Sequence, residues 1–238
     1  MMTKVLIVNN EHDKKNLGLA PKIGEALLAH DERVSFEILH YTDISKETIQ
    51  MIDPHVIFLT GRLTYAGDVA KDAYANEIEL IRETNVPLFG ICLGHQLISL
   101  AYGAELGRMV EVSENDEPVR EEGYVEMTMR LGDPIFNGVA NPFMVYEYHL
   151  EEVKEVPENF ELLASSEMCG VQAMRHKEKL IYSTQFHPEA FSPIFPEGQR
   201  ILQNFFDLVK PKTLVQLPGT QEFAPGASDG TTENIYFE

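Results

Sequence analysis

The sequence predicts an open α/β fold: a mostly parallel sheet flanked by helices, with an added mixed or antiparallel strand extension. Three observations predict it. Short, nearly continuous apolar runs, KVLIV at 4–8, HVIFL at 55–59 and PLFGI at 87–91, read as strands buried on both faces. Segments with apolar residues at helical spacing separate several of these runs, an alternation that calls for parallel strands joined by crossover helices. Past Gly103 the texture changes, and strand-like segments succeed one another without long helices between them.

The elements follow in order. Lys4–Val8 is a first strand leaving into the polar loop Asn9–Asn16, and Ile23, Ala26 and Leu27 make one apolar helical stripe. Arg33–Leu39 is a second strand, and His55–Leu59 a third that ends at Thr60-Gly61. Asp68–Glu83 carries Ala70, Ala73, Tyr74, Ile78 and Ile81 at i, i+3, i+4 spacing, with Asp68 placed to cap a one-sided helix. Pro87–Ile91 is a fourth strand, followed by an apolar helix from Leu93 to Tyr102 that Gly103 stops. The extension comprises Tyr124–Met129, Phe143–Tyr148, Phe160–Ala164, Val171–Met174 and Leu180–Phe186, and a helix over Gly198–Val209 covers one sheet face. Residues 1–210 thus read as one domain. Residues 211–238 have no periodicity and much Pro, Gly, Ser and Thr, so they read as a flexible tail whose final ENIYFE resembles a protease-tag remnant.

Composition narrows the function classes. The 238 residues hold 19 Lys plus Arg against 38 Asp plus Glu, a formal net charge of −19. Such a polyanion repels phosphate backbones and anionic lipid, so neither nucleic acid nor a membrane surface is the expected partner. No uninterrupted apolar stretch has the length of a membrane helix, and the N-terminal run lacks the features of a secretory signal; the expected location is cytoplasmic. Two cysteines, Cys92 and Cys169, exclude a disulfide framework. With no His/Cys/Asp cluster close together in the chain, no metal site is expected and no cofactor is implied. Glu111–Gly123 holds six acidic residues and reads as a solvated loop, or a face for a basic partner.

The chemistry concentrates in Phe89-Gly90-Ile91-Cys92-Leu93-Gly94-His95-Gln96. Glycines two residues either side of Cys92, between an apolar strand and an apolar helix, form a nucleophile elbow with sulfur in place of the serine oxygen. The glycines leave room for a strand to turn abruptly into a helix, whose positive N-terminal end favours a thiolate. A thiolate needs a base, and the base an orienting group. Gln185-Phe186-His187-Pro188-Glu189 supplies both: residues two apart in an extended chain point the same way, so Glu189 can lie beside His187.

Gly-Ile-Cys-Leu-Gly-His-Gln with a downstream Gln-Phe-His-Pro-Glu resembles the class I (triad) glutamine amidotransferase domain, over about residues 3–209. The resemblance implies a flavodoxin-like sheet and a Cys92–His187–Glu189 triad that releases ammonia from glutamine through a glutamyl thioester. It also implies an oxyanion hole from Gly61 and Leu93, with Gln96 and His149 as substrate-binding or supporting residues. Arg120-Glu-Glu-Gly123, Tyr148-His149-Leu-Glu-Glu-Val153 and Phe160–Glu167 resemble segments of GMP synthase amidotransferase domains. Two positions depart from the pattern. Thr60-Gly61-Arg62-Leu63 stands for Ser-Gly-Gly-Pro, putting a cation at the mouth that either is solvated or meets a carboxylate. Leu150 stands where a glycine commonly lets the backbone approach the substrate's α-groups. Cys169, with no nearby His or acid in a triad pattern, is read as packing.

No phosphate-binding loop of the Walker kind and no Ser-Gly-Gly-x-Asp pyrophosphatase loop occurs, so an ATP-dependent synthetase would be a separate polypeptide. Three functions remain in view: a glutaminase for such a partner, a stand-alone γ-glutamyl hydrolase or peptidase with the same triad, and a non-catalytic partner-binding module.

Overall fold

The chain alternates strand and helix through its first hundred residues because each apolar run is short and is followed by a segment with helical spacing of its apolar residues or a capped start. The computed structural model describes residues 2–63, 71–110 and 119–210; Asp68, Ala70, the acidic stretch 111–118 and the tail 211–238 lie outside them. The elements are β1 (Thr3–Asn9), α1 (Ala20–His30), β2 (Val34–His40), α2 (Lys46–Ile52), β3 (Val56–Leu59), α3 (Ala75–Glu83), β4 (Leu88–Ile91), α4 (Leu93–Ala101) and β5 (Leu106–Arg108). After them come β6 (Glu121–Met129), β7 (Phe143–His149), β8 (Glu151–Val153), β9 (Phe160–Ser165), β10 (Ala173–His176), β11 (Ile181–Thr184) and α5 (Glu197–Val209).

Nine strands of the described residues form one sheet in the order β2-β1-β3-β4-β11-β10-β9-β6-β7. The first five are parallel, and every pairing from β11 through β10, β9 and β6 to β7 is antiparallel. Parallel strand order 2-1-3-4 followed by the last strand is the flavodoxin-like winding, which places ligand chemistry at the carboxyl ends of the strands. The expected antiparallel extension is the other half of the same sheet.

Strand alternation divides the core. Val5 and Ile7 face the layer of α1 and α5 with Phe58, Phe89 and Phe205, while Leu6 and Val8 face α3 and α4 with Leu59, Leu97 and Ile98. Phe205 anchors the first layer, its ring 5.7 Å from Phe58, 5.0 Å from Phe89 and 5.6 Å from Tyr182 between centroids. Emptying that position would cost roughly 3–5 kcal/mol.

Three local differences separate expectation from structure. The helix expected over 68–83 resolves, within the described residues, into a 3₁₀ turn at Lys71–Tyr74 and α3 from Ala75. Helix α2 escaped the apolar pattern because none of its residues is buried; a reciprocal Ser45–Thr48 capping box starts it instead. The small antiparallel pair β5–β8, Leu106 opposite Val153, was also not expected, since three-residue strands carry little periodicity.

Candidate active site

The elbow forms where β4 gives way to α4. Cys92 sits between them at φ 49° and ψ −103°, a conformation costly for a residue with a Cβ. The flanking glycines are required by contact: a Cβ on Gly90 would lie 2.6 Å from Ile98 Cδ1 and 2.7 Å from the Gly94 carbonyl carbon. One on Gly94 would meet the Leu59 carbonyl oxygen at 2.5 Å. The Cys92 N–H donates to the Thr184 carbonyl at 2.8 Å, tying the bend to β11, and Gln96 N–H donates to the Cys92 carbonyl at 3.0 Å.

His187 arrives from β11, three residues past its end. Its backbone N–H donates to the Tyr146 carbonyl at 2.8 Å, so β7 holds the loop, and the Tyr148 carbonyl of the same strand lies 3.9 Å from Cys92 Sγ. Nδ1 lies 2.8 Å from Glu189 Oε1, with both residues almost fully buried. The expected pairing is therefore present, but by a different route. Pro188 opens a 3₁₀ turn over Pro188–Ala190, and that turn, not strand alternation, brings the carboxylate back to the ring. Nε2 has no nitrogen or oxygen partner among the described residues and is the nitrogen left to face the Cys92 thiol. Burial pulls the His187 pKa down, but the Glu189 carboxylate and Cys92 together overcome it and hold the imidazole well above its usual range.

Gly61, just past β3, closes the group. A Cβ there would stand 2.5 Å from His187 Cε1 and 2.9 Å from Cys92 Cβ, so only glycine lets three chain segments meet. The strand end is pinned from below. The Asn10 amide donates to the Thr60 carbonyl at 3.0 Å and to Glu77 Oε1 at 3.1 Å, and burial pushes the Glu77 carboxyl up to about 8. Leu93 occupies the first position of α4, where a helix leaves its N–H without an internal partner. Arg62 donates to the Tyr74 hydroxyl at 3.3 Å, and Leu63 N–H donates to Glu11 Oε1 at 2.9 Å. A cavity of about 290 Å³ lined by Leu19, Leu63, Tyr146, Tyr148 and Ala190 lies beside the group.

Gln96 and Gln185 make a relay that no spacing along the chain announces. Gln96 Nε2 donates to the Glu151 carbonyl (3.1 Å) and to Gln185 Oε1 (3.2 Å); Gln185 Nε2 in turn reaches Cys92 Sγ at 3.6 Å. Gln185 lies inside the Gln-Phe-His-Pro-Glu motif, but nothing in a linear pattern says that its amide turns toward sulfur.

His149, at the end of β7, is placed in a second buried cluster. Nδ1 lies 3.0 Å from the Glu151 carbonyl; Nε2 lies 3.0 Å from Glu121 Oε2 and 3.3 Å from Glu147 Oε2. Burial, and then the neighbouring Glu121, push the Glu147 carboxyl well above its ordinary value. Glu121 and Glu147, distant in sequence, meet because β6 and β7 pair with Glu121 opposite His149. Cys169 is buried, and burial drives its thiol up, which suits packing.

An open α/β sheet with a thiol on a glycine-flanked elbow, facing a carboxylate-oriented imidazole, defines the class of α/β thiol hydrolases and acyl-transfer enzymes. Residues 26–209 match the family model of glutamine amidotransferase class-I, and the chain belongs to that family. It is 35% identical over 150 residues to the glutamine-hydrolyzing GMP synthase subunit of Methanothermobacter thermautotrophicus, covering 62% of this chain and 74% of that protein. With the corresponding GMP synthase subunit of Pyrococcus abyssi it shares 39% over 164 residues, 68% of this chain and 79% of the other. Among solved structures, a candidate GMP synthase subunit from Thermoplasma acidophilum superposes with TM-score 0.71 at 27% identity, covering 88% of this chain and 94% of that one. A Thermotoga maritima glutamine amidotransferase has the same fold, with TM-score 0.65 at 17% identity over 89% of this chain and 100% of the other. No helix among the described residues is long and apolar enough to cross a membrane.

Proposed function

We propose that the chain hydrolyses the side-chain amide of glutamine and delivers the ammonia to a separate ATP-dependent synthetase, as the names of its relatives suggest. The observation that carries the reading is the junction of Cys92, His187–Glu189 and Gly61, three segments packed so closely that a single Cβ would not fit between them. Cys92 Sγ passes its proton to His187 Nε2 as it attacks the carboxamide carbon, and the N–H groups of Gly61 and Leu93 hold the oxygen as it gains charge. His187, kept protonated by Glu189, gives its Nε2 proton to the departing nitrogen, and ammonia leaves a glutamyl thioester on Cys92. Water then attacks the thioester carbonyl with His187 as base, releasing glutamate and restoring the thiol.

The test is ammonia release from glutamine by the purified protein, with and without the ATP-pyrophosphatase component of a GMP synthase. Release that rises on adding that component, and covalent capture of Cys92 by a glutamine-like diazoketone, are the expected results. No release in either case, with Cys92 unlabelled, overturns the reading. A second reading, a stand-alone γ-glutamyl hydrolase, draws on the two departures from the family pattern, Arg62 at the mouth of the site and Leu150 where a glycine would let the backbone approach the substrate's α-groups. Turnover of γ-glutamyl anilides in preference to glutamine, with no response to the synthetase, would select it.

A further inference from the structure

We propose that Glu121, Glu147 and His149 form a buried site for one divalent transition-metal ion of the zinc or manganese class. One ligand atom from each residue lies within 4.8 Å of the others, and all three residues are buried. Ligands about 2.0–2.2 Å from such an ion stand roughly 3 Å from each other. The His149 Nε2 distances of 3.0 Å to Glu121 Oε2 and 3.3 Å to Glu147 Oε2 have that spacing.

The surroundings are those of a ligand set. His149 Nδ1 faces the Glu151 carbonyl at 3.0 Å, so this nitrogen carries the proton and Nε2 is turned into the cluster; a backbone carbonyl commonly orients a metal-bound imidazole in this way. Glu121 is held by Ser166 Oγ at 2.7 Å on Oε1 and by Gln172 Nε2 at 2.8 Å on Oε2. Glu147 is the independent observation. It is fully buried, neither of its carboxylate oxygens has a hydrogen-bond partner among the described residues, and Oε2 lies 3.3 Å from His149 Nε2. Two buried carboxylates and one imidazole nitrogen converge on a single point, the donor arrangement that a dication fills. One nitrogen and two carboxylate donors suit zinc or manganese better than calcium, which takes oxygen alone. A groove of about 520 Å³ lined by Arg120, Glu121 and Ser166 borders the cluster on the Glu121 side. The competing occupant is a proton shared within the cluster.

The test uses the full chain carrying Cys92→Ala, which removes the triad thiol as a rival ligand, stripped with chelator and titrated separately with Zn²⁺ and Mn²⁺ by calorimetry. One ion per chain is expected, at micromolar affinity or tighter, and Glu147→Gln, which keeps the volume, weakens binding at least ~10-fold. Anomalous diffraction from Zn²⁺-soaked crystals of the Cys92→Ala protein provides a readout that does not depend on the Glu147→Gln variant folding, with a peak expected at bonding distance from His149 Nε2. No uptake of either ion, binding undiminished by Glu147→Gln, or an anomalous peak elsewhere only would overturn the proposal and leave the proton as occupant.

Discussion

Two buried histidines in this protein each sit against a glutamate, and they are built for opposite purposes. His187 spends Nδ1 on Glu189 at 2.8 Å and keeps Nε2 without a nitrogen or oxygen partner among the described residues, toward a thiol. His149 spends Nδ1 on a carbonyl and turns Nε2 into two carboxylates. The chemical groups are the same; what differs is whether a nitrogen is left over. A spare nitrogen beside a nucleophile can carry a proton to and from a reacting atom. A ring engaged at both ends can only hold other groups in place. Backbone context sets the difference. His187 lies in a loop after a strand, where a proline turn folds its acid back, whereas His149 ends a strand whose antiparallel partner delivers Glu121 directly opposite.

The comparison can be broken most severely at the thiol. Cys92→Ala is expected to lower glutamine hydrolysis by about 10⁴-fold or more while leaving the melting temperature within a few degrees. Loss of the folded state instead would make the elbow structural. The largest effect at the other histidine is on stability: His149→Leu should cost about 3 kcal/mol by leaving buried Glu121 and Glu147 without their ring partner, read from denaturant unfolding. Gly61→Ala drives a methyl into His187 and Cys92 and should reduce kcat/KM about 100-fold through misplacement alone. A variant as active as the parent would show that the three segments can part without consequence. Glu189→Gln should slow turnover about 30-fold and move the alkaline limb of the kcat/KM profile to lower pH. The sign follows from the carboxylate: it holds the His187 imidazolium above its usual range, so removing its charge lets the proton leave earlier. The smallest change is at the relay. Gln185→Leu should cost about 10-fold in kcat/KM and slow Cys92 alkylation at fixed pH, with little change in melting temperature, because the sulfur loses its amide donor.

Much of the parallel half was legible in the chain. Strands β1, β3 and β4 are near-continuous apolar runs because both their faces are covered, and such runs stand out against the amphipathic helices between them. Boundaries shifted by a residue or two, as at β10, expected over 171–174 and observed over Ala173–His176. Helix α2 was not legible because it buries no residue fully and only Ile49 and Ile52 lean on the core. At the candidate site, Cys92, His187 and Glu189 were all nameable beforehand, since the elbow glycines and the His-Pro-Glu triplet are local patterns whose steric reason is local too. Gln185, Glu121 and Glu147 carried no such mark. Their roles depend on which strand lies beside which.

From order alone, then, came the α/β alternation, the sharp bend at Cys92 and the presence of an imidazole with an acid two residues on. Those rest on interactions between near neighbours, which a linear pattern records. The register that sets Glu121 against His149, the turn that returns Glu189 to His187, and the hand-over from Gln96 through Gln185 to sulfur belong to the folded molecule. They join residues up to 93 positions apart, and contacts of that range are chosen by sheet pairing and by the exclusion of water from one shared core, not by any spacing along the chain.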